Sequence, residues 1–173
     1  MTTPRADRRL LGAGLLLGIG LGGMLDGILL HQILQWHNML SSRVPPVTLE
    51  AMHLNMMADG LFHMATWLVT GVGLVKLVAA LRRSDTAYSS EGLVGAWLLG
   101  WGLFNVVEGV VNHLVLGLHH VIETHADPWP ADLAFLGFGV LLLATGTLLV
   151  TRSAWRPLRG GPALDTSAMP HRH

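Results

Sequence analysis

No cysteine occurs among the 173 residues, which excludes a disulfide framework, a zinc ribbon, an iron–sulfur cluster and a thiol nucleophile. Charge is nearly as scarce. Asp, Glu, Lys and Arg make up 13% of the chain, 11 basic residues balance 11 acidic ones, and the formal net charge is zero. Such a balance creates no field for nucleic acid or for acidic substrates. A phosphate-binding loop, a serine nucleophile elbow and a His-Glu-x-x-His zinc motif are also missing from the sequence. What is abundant is apolar: 51% of residues are hydrophobic and the mean hydropathy is +0.48, which speaks against a soluble enzyme. The length suits one domain. Within it stand ten histidines, eight methionines and 21 glycines.

Four apolar stretches, about 10–36, 51–81, 92–121 and 131–151, are each long enough for the roughly 20 helical residues a bilayer requires. Helices are demanded because backbone amides in hydrocarbon must be satisfied within the segment. The expected fold is therefore all-α: a polytopic four-helix membrane bundle over residues 10–158, preceded by a cytoplasmic N-terminus at 1–9 and followed by a disordered cytoplasmic tail at 159–173. Arg5, Arg8, Arg9, Lys76, Arg82, Arg83, Arg152, Arg156, Arg159 and Arg172 fall on one side and Arg43 alone on the other. The positive-inside rule then puts both termini in the cytoplasm of a bacterial inner membrane. A cleaved signal peptide is the competing reading of the N-terminus, but no small-residue cleavage site precedes Asp26.

A shift of 82 residues lays the first stretch on the third. Gly18, Gly20, Gly27, His31, Leu34 and His37 fall on Gly100, Gly102, Gly109, His113, Leu116 and His119, and Asp26 falls on Glu108. The acid-Gly-x-x-x-His-x-x-x-x-x-His pattern is the specific part of that match. The second and fourth stretches align only weakly, as in Thr70-Gly71 with Thr145-Gly146. Two helical hairpins repeated this way run parallel, with a pseudo-twofold along the membrane normal. Gly14, Gly18 and Gly22 stand at four-residue spacing, which permits close helix contact and is also ordinary membrane-helix composition.

Asp26, Asp59 and Glu108 lie inside the apolar stretches, where ionisable groups are costly, face an interior and mark function. His31, His37, His53, His63, His113, His119, His120 and His125 all fall toward the outer end. At about 1.5 Å per residue, His37, His53, His119 and His120 come within two turns of the outer surface. His31, Asp59, His63 and His113 lie roughly 15–23 Å deep on the same measure, which predicts two stacked polar layers. On ideal helices Asp26 shares a face with His37, Glu108 with His119, and Asp59 with His63 for joint grip on one ion. His31 lies about 140° round from Asp26; a kink or π-bulge at Gly27 and Gly109 would relieve that conflict.

So many desolvated imidazoles and carboxylates are settled most cheaply by a metal ion or a water path. The expected metal-site residues are His31, His37, His53, Asp59, His63, His113, His119, Asp26 and Glu108. They would hold a transition metal, one ion or two, with His31, Asp59, His63 and His113 as the deeper ligands and Asp26 and Glu108 ligating or orienting histidines. A single Glu-x-x-His pair occurs, Glu50 with His53, where the diiron bundle pattern needs one on each of two helices, so that pattern is not met. Met39, Met52, Met56, Met57 and Met64 gather near the same end; thioether plus imidazole suits copper, imidazole plus carboxylate suits zinc or iron. Two alternatives stand beside the metal. Facing His31/His113 or His37/His119 pairs could ligate haem in a membrane electron carrier. The acids and histidines could instead form a proton or ion relay without metal. The bilayer is the expected partner, with a second copy of the chain or a membrane complex compatible with an apolar exterior.

The run Asp26-Gly27-Ile28-Leu29-Leu30-His31-Gln32-Ile33-Leu34-Gln35-Trp36-His37-Asn38-Met39, with Asp59-Gly60-Leu61-Phe62-His63, Glu108-Gly109-Val110-Val111-Asn112-His113 and His119-His120-Val121, resembles a bacterial membrane-protein family known as domain of unknown function 2243. The resemblance covers nearly the whole chain, implies a small polytopic inner-membrane protein, and assigns no reaction.

Overall fold

The computed structural model describes residues 8–83 and 89–155. The expected cytoplasmic N-terminus (in part) and the 159–173 tail lie outside them. The described residues hold four helices long and apolar enough to cross a membrane: α1 (Arg8–Asp26), continued by a π-helical segment Gly27–Ile33; α2 (Leu49–Leu81); α3 (Ser90–Glu108), continued by a second π-helical segment Gly109–Val115; and α4 (Trp129–Trp155). No strand is present among the described residues. Thr48 and Ser89 start α2 and α3 by accepting the Ala51 and Gly92 amides on their hydroxyls, as N-cap residues do.

The helices pack as a row, α2–α1–α3–α4, and the backbones of α2 and α4 do not approach one another. This differs from a closed bundle, and glycine placement explains it. A Cβ on Gly18 would lie 2.0 Å from the Trp97 carbonyl, and one on Gly100 2.0 Å from the Leu15 carbonyl. Backbone therefore meets backbone between α1 and α3. Gly20 does the same toward Thr70 of α2, and Gly102 toward Gly139 of α4. The two inner helices thus carry small residues on opposite sides, while α2 and α4 present broad apolar faces such as Trp67, Leu74, Leu133 and Leu141 outward. In lipid such faces need no protein cover.

The first and third spans end earlier than the apolar pattern predicts, at Ile33 and Val115 instead of Trp36 and Val121. The chain breaks upward through left-handed residues, Gln35 at φ 51° and Gly117 at φ 54°. A side chain in that region costs about 1–2 kcal/mol, and a Cβ on Gly117 would meet nothing closer than Arg43 at 3.4 Å. Gly117→Ala is therefore expected to lower stability by about that amount through backbone strain alone, and Gln35→Gly to raise it by up to about 1 kcal/mol; thermal melts in detergent check both. Beyond these turns the loops fold back and bond to each other, Ser42 N–H to Leu118 O and Glu123 N–H to Trp36 O. At the opposite end Arg8, Arg9, Lys76 and Arg83 line one cavity between α1 and α2.

Candidate metal centre

The π-helical turns do the first part of the positioning. A wider i→i+5 winding stacks residues five apart, so His31 comes to lie over Asp26 (Nε2 to Oδ2, 3.5 Å) and His113 over Glu108 (Nε2 to Oε1, 3.7 Å). The 140° conflict of an ideal helix is removed in this way. The loops do the second part. His37 and His119, expected on helices, sit instead on the returning loops and drop into the same space, both buried. Their rings stack at 4.4 Å between centroids, and His37 also lies 4.4 Å from His31, His119 4.8 Å from His113. One cluster of imidazoles replaces the expected two layers.

The hydrogen bonds fix which ring nitrogen faces inward. His37 Nδ1–H donates to Val121 O at 2.9 Å and His119 Nδ1–H donates to Met39 O at 3.0 Å. His31 Nδ1–H donates to Asp59 Oδ1 at 2.9 Å, and His113 Nδ1 lies 3.4 Å from Asp132 Oδ1. Asp59 also accepts the Met39 amide and Asn38 Nδ2, and Asp132 the Val121 amide and His120 Nδ1. Every partner has a counterpart 82 residues along: 31 and 113, 37 and 119, 38 and 120, 39 and 121. Asp59 and Asp132 are 73 apart, as are Gly73 and Gly146, which pack on Leu17 and Leu99. The contacts of α2 and α4 thus follow a spacing of 73, not the 75 of the weak Thr70/Thr145 match.

Inward, the polar atoms lack hydrogen bonds, and His31 and His113 meet their acids only at the longer distances of an ion pair. Nε2 of His31, His37 and His113, Oδ2 of Asp26 and Oε2 of Glu108 are buried without a hydrogen-bond partner. Burial and the neighbouring His119 and His31 rings push the His37 imidazole down to about 3, so at neutral pH it is an uncharged ring presenting a lone pair. His119 Nε2 faces Glu108 Oε1 at 3.1 Å. Since His119 spends its Nδ1 proton on a carbonyl, two acceptors meet there unless a proton or a cation lies between them. One ligand atom each from His31, His37 and His119 lie within 4.8 Å of one another, as do those of Glu108, His113 and His119. A histidine held through Nδ1 by a carboxylate or carbonyl with Nε2 directed at a common point is the arrangement of metal-ligating imidazoles.

Several expected members stand elsewhere. His53 is exposed on α2, two residues from buried Asn55 and so turned about 200° away on a helix. Asp59 and His63 do not grip an ion together: the Asp59 carboxylate is spent on His31, Asn38 and Met39, and His63 Nδ1–H donates to the Asp59 backbone carbonyl. His63 Nε2 rests against Gly27, outside both groups. Met52, Met56, Met57 and Met64 are exposed, so the thioethers face away from the cluster. The direct stacking of His37 on His119 leaves no slot between them for a porphyrin. One participant was missed. Asp132 is fully buried at the start of α4, where the turn Asp127-Pro128-Trp129-Pro130 reads as punctuation; an acid opening an apolar stretch is the trace it leaves.

No curated protein and no solved structure matches the chain. One family model does, over residues 13–153, and it takes in α2 and α3 whole, most of α1 and α4, and every residue of the cluster. The chain belongs to the family described as predicted membrane protein, DUF2243.

Proposed function

We propose that this protein is a metal-binding protein of the bacterial inner membrane, built from two parallel hairpin repeats with both termini cytoplasmic, whose His/carboxylate site opens toward the outer face. The observation that carries the reading is the convergence of buried, unpartnered Nε2 atoms beside unpartnered carboxylate oxygens. Each half supplies a carboxylate, a π-helical histidine and a loop histidine: Asp26, His31 and His37 in one, Glu108, His113 and His119 in the other. The ligand atoms that converge are those of His31, His37 and His119 and those of Glu108, His113 and His119, two groups that each suit an ion and that join the halves through His119. Imidazole with carboxylate and no thioether favours zinc or iron over copper, and a two-histidine, one-carboxylate set leaves coordination positions open for water or oxygen. Asp59 and Asp132 orient His31 and His113 from behind. The crossed bonds from His37 and His119, each to the other loop, support the twofold reading. The one-sided distribution of Arg and Lys supports the orientation. A cavity of about 460 Å³ among the loops, bordered by His37, Ser42 and Glu123, supports access from the outer side.

Elemental analysis of the purified, detergent-solubilised chain tests this. Two equivalents of zinc or iron are expected, with none retained by a His31→Ala, His113→Ala double variant and no Soret absorption. One equivalent would indicate a single ion shared by the four imidazoles. A folded protein that refuses zinc, copper and iron rejects the proposal.

A further inference from the structure

Because the helices form a row, a lateral cleft opens beside the cluster, between α1 and α4 over α3. It holds a cavity of about 320 Å³, within the size range of small-ligand pockets. Its mouth consists of Leu25, Leu29 and Phe138, all at least 39% exposed on the lipid-facing surface. Its wall is the Trp101 ring, and its inner end is formed by Asp26 and Asn105. Asn105 is the informative residue. It is 3% exposed, and its Oδ1 is buried with no hydrogen-bond partner. An amide left bare in apolar surroundings is costly. Nor does helix packing demand it, because the residue 82 positions earlier is Gly23, packed on Thr66 and Phe104. A primary amide offers both a donor and an acceptor, which together match a hydroxyl. Aromatic Trp101 and Phe138 around the space favour a flat ring, and the apolar mouth favours a molecule dissolved in the bilayer.

The geometry points to a binding site for a lipid-soluble phenol, drawn laterally from the membrane, with its hydroxyl held by Asn105 beside Asp26. The purpose of that placement, a hydroxyl next to the bound ion, rests on the metal reading; the binding itself does not. A second cavity of about 310 Å³ between α2 and α3 is lined by Glu108 and by Asn112, whose side chain is only half-buried and has no orphaned buried atom, so one phenol per chain is expected.

The test uses the full chain in nanodiscs, with empty nanodiscs as the blank, titrated with 4-hexylphenol and with its methyl ether. Metal content is measured on the same samples. Saturable binding of one phenol is expected, about tenfold weaker for the ether, which cannot donate, and about tenfold weaker for Asn105→Leu, each the size of one buried hydrogen bond. Leu25→Trp, which plugs the mouth from the lipid side, should abolish saturation while leaving the metal content unchanged. Equal binding of phenol and ether, or an Asn105→Leu variant that saturates like the parent, overturns the proposal. The wild-type comparison decides the matter if either variant fails to fold. Phenol binding by a preparation that refuses zinc, copper and iron would sink the metal reading alone; metal without saturable phenol binding would sink this one alone.

Discussion

Asp59→Asn and Asp132→Asn are each expected to weaken metal binding about 10–100-fold, the usual effect of removing a carboxylate behind a ligating histidine. The substitutions keep volume and shape but not the acceptor count. Asp59 accepts from three donors: His31 Nδ1–H, the Met39 amide and Asn38 Nδ2. An asparagine there must turn its NH2 toward one of them in a fully buried place, which only a reversed Asn38 amide could accept, and the His31 ring loses the electron density the carboxylate lends it. Asp132 acts the same way through the Val121 amide and His120, with His113 held more loosely at 3.4 Å. Competition with a chelator of known affinity reads the change, and melting of the metal-free variants separates it from a general loss of fold. His53→Ala, on an exposed face of α2, is the control and should bind metal like the parent. Unchanged affinity in Asp59→Asn would show that His31 is not a ligand oriented from α2.

Much of this arrangement is legible in the chain. Hydropathy marks four spans because a lipid environment leaves little choice of residue, and the acids at 26, 59 and 108 stand out against that background. The shared acid-Gly-x-x-x-His pattern marks Asp26, His31, Glu108 and His113, and the π-helical segments lay each histidine over its own acid. What escapes is geometry that depends on departures from an ideal helix. Gln35 gives no warning of its left-handed backbone, so the loop that returns His37 to the interior reads as about one more turn of helix. The π-helical winding reverses an angular argument that holds for 3.6 residues per turn. Asp132 hides behind two prolines. The row packing is invisible for a different reason: a face turned to lipid and a face turned to another apolar helix carry the same composition, so periodicity alone cannot separate a row from a closed bundle.

The close contact of α1 and α3 predicts the largest loss of stability. Gly18→Ala or Gly100→Ala is expected to cost about 3 kcal/mol or more, the upper end for overpacking a tight interface. The added methyl of Gly18→Ala would press on the Trp97 carbonyl at 2.0 Å and the Trp101 amide at 2.8 Å, and that of Gly100→Ala on the Leu15 carbonyl at 2.0 Å. These are backbone atoms inside helices, so no rotamer change relieves them and the helices must separate. Gly12 and Gly71 are the controls, since a Cβ at either meets nothing within 4 Å; alanine there should stabilise by about 0.5–1 kcal/mol through helix propensity. Melting of the four variants in one detergent distinguishes specific contact from ordinary membrane-helix composition, under which all four would behave alike. The same separation must reach the cluster. Asp26 and Glu108 each stand eight residues above their glycine, about 12 Å along a stiff helix, so prising α1 from α3 pulls the two halves of the site apart. Gly18→Ala should therefore lose metal as well as stability although no ligand has been touched, and a variant that melts early yet keeps its full metal content would place the ions within one half alone.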